Sequence, residues 1–161
     1  MRRVKHFFQR GIAIPALLGA IALIGLFAAL GIVDAPPGSR DVANITLEPA
    51  QGIFVKDEKF VVRIVVASSI PVNVFGGELA FDQEVLHVES IDYNTSIADL
   101  WAEKPWYSNG EGTLNFIGGT TRTGGFTGKD TLLTVTFKPI GEGNGTLTLR
   151  GARILEHDGL G

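Results

Sequence analysis

At 161 residues with no cysteine, the chain has room for one domain and an appendage, and it lacks disulfide scaffolds, thiolate metal centres, iron–sulfur clusters and cysteine nucleophiles. A net charge of −3 argues against nucleic acid as a partner, because that role wants a basic face. The mean hydropathy of +0.23 is high for a soluble domain, and the apolar residues behind it are unevenly spread.

Residues 1–10 carry Arg2, Arg3, Lys5 and Arg10 and no acid, which reads as a cytoplasmic basic stub. Residues 11–33 then run without a charge. As a helix rising about 1.5 Å per residue, that length crosses a hydrocarbon core of about 30 Å. The positive-inside rule keeps the basic end in the cytoplasm and puts the rest of the chain outside. A cleaved secretory signal is the alternative, with Ala29-Leu30-Gly31 as its candidate site. The run is longer than the roughly 7–15 apolar residues of such signals, so the reading is an uncleaved transmembrane signal anchor. With cleavage, the domain would be secreted instead. Residues 34–41, rich in Pro, Gly and Ser, form a short linker. Ten of the 14 bases and all 17 acids lie in residues 34–161, a net −7 for the exported part.

Residues 42–161 read as short strands separated by turns. Val42–Leu47 alternates; Lys59–Ala67 is β-branched and apolar enough for a strand covered on both faces. Val72–Phe81 holds Gly76-Gly77, which marks a bulge or a close backbone approach. Val85–Ile91 alternates again, and Gly112–Ile117, Thr131–Pro139, Gly145–Leu149 and Ala152–Glu156 complete the series. One short helix is expected around Ser96–Glu103. The fold class is all-β, a sandwich or jelly roll.

Catalytic chemistry finds little support. His87 falls within a strand, His157 stands near the C-terminus, and no HxxxH or HExxH spacing, GxSxG or P-loop is present. Gly141–Gly145 is a flexible turn between strands rather than a phosphate cradle. Asp57/Glu58 and Asp82/Glu84 are paired carboxylates at turns, without the apolar surroundings that raise a pKa. No cofactor is expected; calcium on loop oxygens is the alternative, as exported β-sandwiches often carry it, although no DxDxDG loop exists. The residues point away from an enzyme.

Two segments suit binding. Trp101, Trp106 and Tyr107 cluster, and a planar aromatic strip would stack on polysaccharide; the alternative is that Trp101 plugs one end of the sandwich and Tyr107 begins a strand. Gly118–Gly125 (GGTTRTGG) suits a loop that another surface approaches closely. Sequons at Asn44, Asn94 and Asn144 fit chance in an Asn/Thr-rich chain.

The order of segments resembles a cohesin domain over about residues 42–161. A β-rich run leads into the aromatic-Asp turn Phe81-Asp82 with Val85-Leu86 beyond it, and GTLNFIGG, DTLLTVTFKPIGEGNGTLTL and ARILEHDG are similar to the family's second half. The resemblance implies a non-catalytic jelly roll of about nine strands, related in fold to cellulose-type carbohydrate-binding modules. It also implies a dockerin-like partner, in assemblies of polysaccharide-degrading enzymes on a scaffold or cell surface. The implied partner-binding face includes Val74 and Gly76, apolar here where type I members carry polar residues, and Gly119, Thr120, Thr121, Arg122 and Thr123. Asp82 is implied as a turn residue closing an Asx turn.

Overall fold

The structure, a computed structural model, describes residues 24–29 and 43–158. The basic stub, the linker and most of the apolar run at 11–33 therefore lie outside the described residues. Nine strands are described: β1 (Ile24–Ala29), β2 (Ala43–Glu48), β3 (Gln51–Val55), β4 (Phe60–Phe81), β5 (Leu86–Asp92), β6 (Leu100–Ser108), β7 (Thr113–Gly119), β8 (Phe126–Pro139) and β9 (Asn144–Glu156). The all-β expectation holds.

The 22-residue β4 organises the domain. It joins two segments that the sequence reads as separate strands, and it turns a corner at Ser68–Pro71. There the Ser68 hydroxyl donates to the Ile70 carbonyl at 2.6 Å and accepts from the Ile70 amide at 3.3 Å, and the ladder to β8 shifts register between Ser68 and Val72. Pro71 brings no amide donor of its own to the corner. Before the corner, β4 lies between β2 (Ile45 opposite Val66) and β8 (Ile64 opposite Leu133), and β5 pairs with the far side of β8. After the corner, β4 lies between β7 and β9, with Leu79 opposite both Leu114 and Leu149. The first layer is thus β2-β4-β8-β5 and the second runs β3-β1-β9-β4-β7-β6.

The two layers share one core. Val62, Ile64, Val66, Leu133, Val135 and Phe137 from the first meet Phe75, Leu79, Leu114, Phe116 and Leu147 from the second. Phe81 meets Phe137 edge-on at 5.7 Å, and Phe54 of β3 stacks on Phe60 at 3.7 Å. With no cysteine, this packing supplies the stability. The outer side of the Lys59–Ala67 segment is covered only in part among the described residues: Val61 and Arg63 are exposed, while Val65 is buried.

Three expectations differ from what is described. Most of the expected transmembrane helix lies outside the described residues; its described part, residues 24–29, is a strand, antiparallel to β3 and parallel to β9. An unbroken apolar run carries no periodicity to separate helix from strand, and the edges of β3 and β9 offer backbone partners. Among the described residues, no helix is long and apolar enough to cross a membrane. The helix expected at Ser96–Glu103 is also absent. Ser96–Asp99 is a turn in which the Ala98 amide donates to the Ser96 hydroxyl, and from Leu100 the chain pairs with β7 as a strand. Eight residues form a marginal helix alone, so the ladder to β7 prevails. Among the described residues β6 forms a strand ladder with β7 alone, an edge position that tolerates Pro105. β3, which the strand reading passes over, is the third difference.

Two local expectations hold. The Asp82 carboxylate accepts from the Glu84 amide at 3.0 Å, closing the Asx turn. The ladder from β4 to β9 shifts register between Gly76 and Glu78, the bulge signalled by the paired glycines.

Candidate functional site

The strands β9, β4, β7 and β6 turn one set of side chains into the core and the other outward. Phe75 and Leu79 point inward on β4, as do Leu114 and Phe116 on β7, so the residues between them face solvent. Cross-strand register then assembles four outward rows. Leu155, Val74, Gly119 and Leu100 form the first; Arg153, Gly76, Ile117 and Glu103 the second. Arg150, Glu78, Asn115 and Trp106 form the third, and Thr148, Ala80, Thr113 and Ser108 the fourth.

This face mixes apolar and charged groups. Leu100 is 61% exposed, and Trp106, Ile117 and Leu155 are each about 40% exposed. Because Gly76 and Gly119 carry no side chain, the centre is low. A shallow depression of about 310 Å³ lies over Gly76 and Gly77, walled by Glu78, Ile117, Arg150 and Arg153. Arg150 approaches Glu78 at 3.6 Å.

Of the residues that the resemblance points to, Val74, Gly76 and Gly119 stand on this face, while Thr120–Thr123 form the loop at its end, following β7. That loop is moored rather than free. The Thr120 amide donates to the Asn73 carbonyl at 2.9 Å and Thr120 is buried. The Thr121 amide and hydroxyl donate to the two Asp99 oxygens at 2.7 and 2.8 Å, and the Asp99 amide donates to the Gly119 carbonyl. The Thr121 hydroxyl bond, seconded by its amide, holds the Asp99 carboxyl below the ordinary carboxylate range. Arg122 and Thr123 are exposed at the loop tip.

The aromatic cluster does not form a planar strip. Trp106 sits on the outward face, opposite Asn115. Trp101 pairs with Gly118 and points to the other side, edge-on to Tyr93 at 5.5 Å. A Cβ at Gly118 would lie 2.6 Å from the Trp101 ring, so that ring occupies the space a side chain would need. Tyr107, opposite Leu114, stands near the end of β6 and reaches the Glu89 carbonyl with its hydroxyl at 3.4 Å. Strand alternation therefore splits the three rings. Arg150, Arg153, Leu155, Ile117 and Glu103 escape a sequence reading because their strands are visible there but the order β9-β4-β7-β6 is not.

Among the described residues, no three His, Asp or Glu side chains gather where a metal could sit. Lys129 and Lys59 hold the carboxyls of Glu48 and Glu89 below the ordinary range by hydrogen bonding, the setting of surface ion pairs rather than of acid–base chemistry.

No family model matches the chain, and no curated protein matches it in sequence. Solved structures do. CaCohA2 from Clostridium acetobutylicum is 10% identical with a TM-score of 0.52, covering 84% of this chain and 80% of its own. A chain of the type II cohesin–X-dockerin complex from Acetivibrio cellulolyticus is 13% identical at 0.51, covering 70% and 84%. A non-cellulosomal cohesin from the archaeon Archaeoglobus fulgidus is 17% identical at 0.49, covering 86% and 81%. The first two carry the comparison: the chain has the fold of a cohesin module.

Proposed function

We propose that this chain is a non-catalytic, cohesin-like binding module that recognises a dockerin-type partner through the outward face of β9-β4-β7-β6. In this reading it helps to assemble surface polysaccharide-degrading or adhesive complexes. One observation carries it: four large apolar side chains, Leu100, Trp106, Ile117 and Leu155, are exposed together around a glycine-lowered centre on one sheet face. An exposed apolar patch rimmed by charge suits a protein interface. The likeness to a chain of a type II cohesin–X-dockerin complex supports the partner class.

The test is calorimetric titration with a panel of purified type I and type II dockerin modules, set beside affinity electrophoresis on soluble glucans. Saturable binding of a dockerin, lost in Ile117→Asp with the fold retained, is the expected result. Glucan retardation that Trp106→Ala abolishes, with no dockerin bound, would replace this reading with direct polysaccharide recognition.

The basic head and the 23-residue apolar run at 11–33 support a membrane-anchored, extracytoplasmic placement of the module. In the anchored form residues 24–29 would lie in the bilayer instead of between β3 and β9. Retention of the full chain in the membrane pellet after alkaline carbonate washing is expected, and its release would refute the anchor.

A further inference from the structure

β3 is tied to the rest of its sheet by one neighbour. Among the described residues it forms a ladder with β1 alone, and β1 in turn pairs with Asn144–Leu147 of β9. β3 and β9 therefore bound a slot one strand wide, two steps of about 4.8 Å across. Filling that slot with residues 24–29 excludes a membrane span by the same segment. The apolar residues ahead of it, 11–23, would rise only about 20 Å as a helix, against a hydrocarbon core of about 30 Å. In the anchored form the slot loses β1, and β3 and the start of β9 both face it with unpaired backbone groups.

We infer that the slot between β3 and β9 is a strand-addition site, entered by an extended apolar segment of a partner when residues 24–29 lie in the bilayer. The walls set the chemistry of the occupant. Neither Gln51–Val55 nor Asn144–Leu147 contains a charged residue. On the inner side Leu147 is fully buried and Phe54 stacks on Phe60. On the outer side Ile53 is 65% and Val55 37% exposed, in register with positions 26 and 24 of the occupant. Position 27 stands opposite Gly52 on one wall and Gly145 on the other, so neither wall raises a side chain against it. An uncharged segment, apolar on both of its faces, fits these walls, and Ile24–Ala29 (IGLFAA) is itself such a segment. The slot also offers two ladders at once, whereas β2, β5 and β6 each offer a single open edge among the described residues. The inference rests on the anchored reading above and adds a second mode of partner binding, remote from the docking face.

The probe is a synthetic peptide with the sequence of residues 24–29 between solubilising lysines. It is added to the full chain in phosphatidylcholine nanodiscs that hold one chain each. Without peptide, the β3 amides are expected to exchange at least tenfold faster than those of β7, and saturating peptide should slow them at least tenfold. The chain has no cysteine, so Ile53→Cys supplies a unique thiol on an exposed side chain. Under mild oxidation, a peptide with cysteine at the position of Leu26, opposite residue 53, should form the disulfide at least fivefold faster than one with cysteine at the position of Ile24. β3 amides that are protected without peptide, or unmoved by it, overturn the inference, and so does a disulfide without register preference. Protection that arises without peptide when two chains share a disc assigns the slot to a second copy and overturns it as well. These results leave the anchor standing. Release of the chain by carbonate washing removes the anchor reading, and this inference with it.

Discussion

Gly76 and Gly77 are chain neighbours on opposite faces of β4, so substitutions there separate docking from folding. A Cβ at Gly76 would lie 3.3 Å from Cγ1 of Ile117, an exposed side chain free to move aside. The substitution Gly76→Gln therefore costs little, and the backbone gain of about 0.5–1 kcal/mol on replacing a strand glycine leaves stability within about 1 kcal/mol of the parent. Its amide side chain rises from the low centre of the face and holds a flat partner away. A loss of at least tenfold in dockerin affinity, about 1.4 kcal/mol, is expected. A Cβ at Gly77 would instead meet the Phe116 ring at 3.2 Å and the β9 backbone, Ala152 Cα and Arg150 O, at 3.4 Å. That ring is buried and that backbone is fixed in its ladder, so Gly77→Ala overpacks the core at about 1–2 kcal/mol net of the same backbone gain. For a domain of this size the cost appears as a melting temperature lower by about 5–10 °C. Thermal unfolding and titration of both variants form the assay. If Gly76→Gln unfolds the domain as readily as Gly77→Ala, or leaves dockerin affinity intact, the assignment of an outward docking face is wrong.

Truncating Phe137, fully buried between Phe60 and Phe81, should cost about 3–5 kcal/mol in urea unfolding, and a loss below about 1 kcal/mol would mean that the two layers do not meet there. The Lys129 hydrogen bond, at 2.6 Å, holds the Glu48 carboxyl below its ordinary value of 4.5, with the charges of Lys129 and Arg63 adding to it. Because the folded value is the depressed one, this stabilisation is present above that pH and is lost as the pH falls through the folded value. Glu48→Gln should therefore flatten the acid limb of the stability curve, and an unchanged limb would show the ion pair to be inert. Asp99→Ala removes both acceptors of Thr121, so hydrogen exchange at the Thr121 amide should quicken while the β7 amides stay protected.

Residues with purely local signals were legible in advance. Alternation exposed β2 and β5, and Gly76-Gly77 marked a bulge or a close approach, because each signal depends on neighbours a few positions away; the Asx turn at Asp82 came from the resemblance. The helix expected at Ser96–Glu103 failed for a long-range reason, since its residues gain more by pairing with β7 than by coiling on themselves. The outward face of β9-β4-β7-β6 was half visible. Val74, Gly76 and Gly119 came from the resemblance, but Arg153, Ile117 and Glu103 share their row only through pairings between residues 14 to 77 positions apart in the chain.

By itself, the sequence determined that the described domain is all-β, acidic and held without disulfides, since composition and period-two patterning act through local geometry and bulk burial. Which strands lie side by side was decided only in the tertiary structure, where backbone pairing and shared core burial are settled between distant segments. That order turned scattered apolar and charged residues into one face, separated Trp106 from Trp101 and Tyr107, and set Arg153 and Glu103 at opposite ends of a single row.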